Sequence, residues 1–62
     1  MHEQYARQAE QKLSQLPESE RQRVTQNEDS LAKWMAQNIA GNAAYDLLKK
    51  AAMLVLSRGR RR

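Results

Sequence analysis

The chain has 62 residues, 40% of them hydrophobic and 29% charged, with a formal net charge of +4, two glycines, one proline and no cysteine. A domain of this size buries only about 60% of the surface its unfolded chain exposes. Without thiols and with a single histidine, neither a disulfide nor a metal staple is expected to make up the difference. The longest uninterrupted apolar run, residues 51–56, is far short of the roughly 18 to 20 residues a bilayer span needs, and residues 1–5 carry no apolar leader. A cytoplasmic protein with no membrane span is the expectation.

The charge is unevenly spread. Residues 1–48 hold five basic and seven acidic side chains, whereas residues 49–62 hold six basic ones and no acid. The basicity is therefore a property of the C-terminal end. Ala, Gln, Glu, Leu, Lys and Arg dominate and β-branched residues are few, so the fold class is all-α.

The first helix is expected over residues 3–15, with Tyr5, Ala6, Ala9, Leu13 and Leu16 forming one narrow apolar stripe at steps of three and four. Pro17 ends it, because its ring disfavours helical geometry at Leu16, and the same proline suits the first turn of the next helix. That second helix is expected to run unbroken over 17–39. The alternative is a break near residues 25–27, where Thr25 and Glu28 have capping-box spacing and Asn27 is also a good cap. At Ala40-Gly41-Asn42 a turn is expected, with Gly41 in the left-handed position and Asn42 capping the last helix. That helix, 43–57, places Ala44, Leu47, Leu48, Ala51, Leu54 and Val55 on one face and spreads sideways through Tyr45, Ala52, Met53 and Leu56.

So wide an apolar arc in so short a chain predicts a helical hairpin or three-helix unit (1–57) completed by homodimerisation through Leu47, Leu48, Ala51, Leu54 and Val55. Residues 58–62 form a basic tail.

No catalytic constellation emerges. His2 is terminal, the serines have no neighbouring histidine, and the carboxylates alternate with arginines at helix-surface spacing. The expectation is a protein without enzymatic activity, cofactor or metal. A partner protein is expected to dock on Leu31, Trp34 and Met35, an aromatic and a thioether with a polar rim. The competing reading is a nucleic-acid accessory protein gripping phosphates through Lys49, Lys50, Arg58, Arg60, Arg61 and Arg62. Base reading by a helix-turn-helix over 31–56 fits poorly. Ala43, Ala44 and Tyr45 would face the bases, and Asn42 stands where an inward apolar residue is needed. Short, cysteine-free, Gln- and Arg-rich helical chains are common among accessory proteins of phages and plasmids, but composition of this kind assigns no family and no residue. A small helical protein that binds another protein and inhibits it is the preferred expectation.

Overall fold

A computed structural model describes residues 2–59, and these form four helices: α1 (His2–Leu13), α2 (Glu18–Val24), α3 (Glu28–Asn38) and α4 (Tyr45–Gly59). Among the described residues no strand occurs. The fold is all-α, with one helix more than expected.

α1 closes two residues earlier than the apolar pattern suggests. Beyond Leu13 the chain tightens into i to i+3 bonds, Gln15 N–H to Lys12 O and Leu16 N–H to Leu13 O, each 3.1 Å. The cause lies just ahead, since Pro17 pushes Leu16 out of helical geometry and the last turn cannot stay α. Pro17 itself is extended (φ −58°, ψ 151°), and its carbonyl accepts the Arg21 N–H at 2.9 Å to start α2.

The unbroken helix over 17–39 does not form. Thr25 leaves helical geometry (φ −98°, ψ 16°), and both its N–H and its hydroxyl donate back to Arg21 O, at 3.0 and 2.8 Å. Its side chain is thus spent on α2 and caps nothing ahead, so the Thr25–Glu28 capping box is absent. Asn27 is the cap of α3. It is fully extended (φ −157°, ψ 174°) and its Oδ1 accepts the Ser30 N–H at 2.8 Å. The break has a packing reason: α2 contributes no buried residue, whereas α3 must aim Leu31, Ala32 and Met35 inward. Asn27→Ala is therefore expected to cost about 1 kcal/mol, read as a lower urea midpoint at unchanged slope.

Between α3 and α4 the chain turns over residues 39–44. Ile39 and Ala40 both donate to Met35 O, at 2.8 and 3.1 Å, and Ala43 donates to Ala40 O at 3.1 Å. The turn uses no left-handed residue, because no described residue has positive φ. Gly41 serves a different need. A Cβ there would stand 3.2 Å from the Ala36 carbonyl oxygen, so glycine lets the turn approach the end of α3 closely. α4 begins at Tyr45 rather than residue 43. The carbonyl of Ala44, not Asn42, takes the first helical bond, from Leu48 N–H at 3.1 Å.

The core consists of Ala6, Ala9 and Leu13 from α1, Leu31, Ala32 and Met35 from α3, and Leu48, Ala51, Ala52 and Val55 from α4. α4 is the hub, packing against both α1 and α3, while α2 touches α3 only lightly. Within the one chain α1 and α3 cover the inward side of α4, while Leu47 and Leu54 stay half-buried and Met53 is exposed. Five of the ten buried residues are alanines, which let helices approach closely, so two neighbours suffice to cover the inward side of α4. The Cα radius of gyration, 10.3 Å, matches the roughly 10.6 Å of a self-contained domain of this length.

Candidate protein-binding groove

The three residues expected to form a docking face do not form one. Leu31 and Met35 are 0% exposed, in the centre of the core, because their spacing of four puts both on the inward line of α3. Trp34 is half-buried and packs on the core's edge, with its carbonyl accepting from Asn38 Nδ2 at 2.8 Å. Only Trp34 keeps any accessible surface.

The expected dimer surface divides in a similar way. Leu48, Ala51 and Val55 are buried within the chain, while Leu47 and Leu54 are half-buried at the flank of α4. Leu54 also borders a shallow depression of about 320 Å³ with His2, Lys50 and Met53.

The basic residues are partly engaged. Lys49 Nζ stands 3.6 Å from Asp29 Oδ1 on α3. Arg58 spans two turns of α1, donating from Nη1 to Glu10 Oε1 at 3.0 Å and from Nη2 to Glu3. Lys50 is exposed on the outer side of α4, and Arg60, Arg61 and Arg62 lie outside the described residues.

The Arg58 guanidinium, mainly through its hydrogen bond, holds the Glu3 carboxyl below its ordinary value of 4.5 and is itself held above its ordinary value by Glu3. A depressed folded-state value means that this contribution to stability is present above the ordinary carboxylate value and is lost as pH falls through the lowered one. The pair is solvent-exposed, so the effect is small and screened by salt. Wild type is expected to lose stability on acidification below about 4.5 more steeply than Arg58→Gln, and the difference should vanish near about 1 M salt. Urea titrations at stepped pH measure it.

An open groove of about 700 Å³ lies between the start of α3 and the outer flank of α4. Gln26, Asn27, Glu28 and Asp29 form one wall, and Lys49, Met53, Leu56 and Ser57 the other. Its apolar part is Met53, 51% exposed, with half-buried Leu56 beside it. The Tyr45 hydroxyl donates to Asp29 Oδ1 at 3.1 Å, so Asp29 ties both Tyr45 and Lys49 to the α3 side. Desolvation, followed by the bond to Asp29, raises the Tyr45 phenol above its ordinary value. The phenol stays neutral as the donor in this bond.

The sequence pattern gives Met53, Leu56 and Tyr45 no role beyond the sideways spread of the last helix. The signal that locates Met53 is angular: once Leu48, Ala51, Ala52 and Val55 define the inward side of α4, Asp46, Lys50, Met53 and Ser57 fall opposite. Met53 is the one large apolar residue among those four.

No known family model, curated protein sequence or solved structure matches the chain. Among the described residues no group of three or more His, Cys, Asp or Glu is placed to hold a metal, and no helix is long and apolar enough to cross a membrane.

Proposed function

We propose that this chain is a small helical binding protein that acts in the cytoplasm by docking on another protein and inhibiting it sterically. The observation that carries this reading is the α3–α4 groove, with the exposed thioether of Met53 and the flank of Leu56 inside a rim of Gln26, Asn27, Glu28, Lys49 and Ser57. A deformable apolar centre with a polar rim is the usual composition of a protein-binding patch. Trp34 remains a secondary contact at the edge of the core.

Of the expected dimer surface only Leu47 and Leu54 are left to support self-pairing, since Leu48, Ala51 and Val55 are buried within the chain. Binding to nucleic acid remains the rival reading, supported by the net charge of +4 and the exposed Lys50. It is weakened by the internal pairing of Lys49 and Arg58.

Tagged chain purified from its native host after nuclease treatment distinguishes the two. The expected result is one co-purifying protein, retained in high salt and lost with Met53→Lys while helix content is unchanged. A change of this kind at a binding centre typically costs about 2 kcal/mol or more in affinity. Recovery of nucleic acid alone, released steeply as salt rises, would replace the proposal with its rival.

A further inference from the structure

α2 stands apart from the other three helices in how it is held. It is seven residues long and buries none of them, and its only large apolar residue, Val24, is half-buried at its last position. Its side-chain hydrogen bonds are local: Gln22 Nε2 to Glu18 at 3.4 Å, and the Thr25 hydroxyl to Arg21 O at 2.8 Å. Pro17 gives its first turn no side-chain cap. Among the described residues no ion pair links α2 to another element, whereas α1 is tied to α4 through Arg58 and α3 to α4 through Asp29.

Irregular segments flank it, residues 14–17 before and 25–27 after. Beneath lies a cleft of about 560 Å³ between the ends of α1 and α4. Leu13, Val55 and Leu56 supply its apolar surface, and Arg21, Gln22 and Thr25 line it from the α2 side. Leu13 and Val55 are only 5% and 6% exposed. The three larger helices hold one another through the shared core, to which α2 adds no buried residue and only the half-buried Val24, packed against its edge.

We propose that α2 is a hinged cover. It lifts as a unit about residues 14–17 and 25–27 while α1, α3 and α4 stay packed, and its lifting opens the cleft of Leu13, Val55 and Leu56. Regions with few buried contacts and locally satisfied backbone open at lower free energy than the core that surrounds them. The chain therefore carries a second apolar surface, which adjoins the Met53 groove at Leu56 and whose Leu13 and Val55 are fully exposed only in the open state.

Native-state hydrogen exchange on the full chain tests this directly. Amides of α2 should exchange at least about tenfold faster than those at the centres of α1, α3 and α4. The chain has no cysteine, so a single introduced thiol reports the opening. Val55→Cys, in the cleft, should react with a thiol reagent faster than global unfolding of the same variant allows, while Ala51→Cys, away from the cleft, should react only at its global rate. Arg21→Pro, which removes the N–H bonded to Pro17 O at 2.9 Å, should speed the first reaction and leave the second and the melting temperature nearly unchanged. Equal protection of α2 and the core helices, or labelling of both thiols at the global rate, overturns the proposal. Unfolding of the Arg21→Pro variant would do the same, because α2 would then be part of the cooperative core.

Discussion

Leu48→Ala is expected to leave the chain close to unfolded. Leu48 is 1% exposed on the helix that packs against both α1 and α3, so truncation opens a cavity in the shared core. Such a change costs about 2 to 5 kcal/mol. A core in a chain this short supplies only about 3 to 5 kcal/mol in total. The melting temperature followed by circular dichroism should drop by at least about 10 °C, with some helix lost already at room temperature. A drop of only a few degrees would mean that the core relaxes around the missing side chain and that α4 is a weaker hub than its burial implies.

The second large effect is expected from adding volume. Ala51 is 0% exposed, and with Ala6, Ala9, Ala32 and Ala52 it belongs to the small-residue set that allows the three helices to approach closely. Ala51→Leu changes helix propensity very little, so any loss is a packing loss. Overpacking of this kind costs about 1 to 3 kcal/mol or more. Ala44→Leu, at an exposed position outside α4, should stay within about 0.5 kcal/mol of wild type. Equal urea midpoints for the two variants would show that the helices have room to separate and that the alanines are incidental.

The importance of those alanines explains much of what the sequence left hidden. The all-α class, the break at Pro17 and the turn after Ile39 were legible because proline, glycine and helix-forming residues act locally. The covering of α4 was not. Alanine is a weak apolar signal, and how closely two helices approach depends on both of their surfaces at once, so Leu48, Ala51 and Val55 looked unpaired when they were half of an internal contact. At Thr25 the difficulty was of another kind, since its hydroxyl can bond forward as a cap or backward to Arg21. The choice is set by the need of α3 to turn Leu31 and Met35 inward.

The candidate site was hidden for the same reasons. Trp34 draws notice by size, yet its accessible surface is limited by its place at the core's edge. Met53 reads as one more apolar residue in a crowded helix until the inward side is fixed. The pairing of Arg58 cannot be seen locally at all, because its carboxylates lie 48 and 55 residues away along the chain. Charge patterning alone places Arg58 with the tail, whereas it is the clasp between α4 and α1.

Both of these effects, and the docking proposed at the Met53 groove, rest on α4 belonging to the core of its own chain. Thermal unfolding by circular dichroism over about a hundredfold range of protein concentration tests that most directly, because a fold completed by association melts at a concentration-dependent temperature. The predicted result is one melting temperature across the range, with full helix content at the lowest concentration. A melting temperature that climbs with concentration, and helix that disappears on dilution, would show that the apolar arc of α4 needs a second chain.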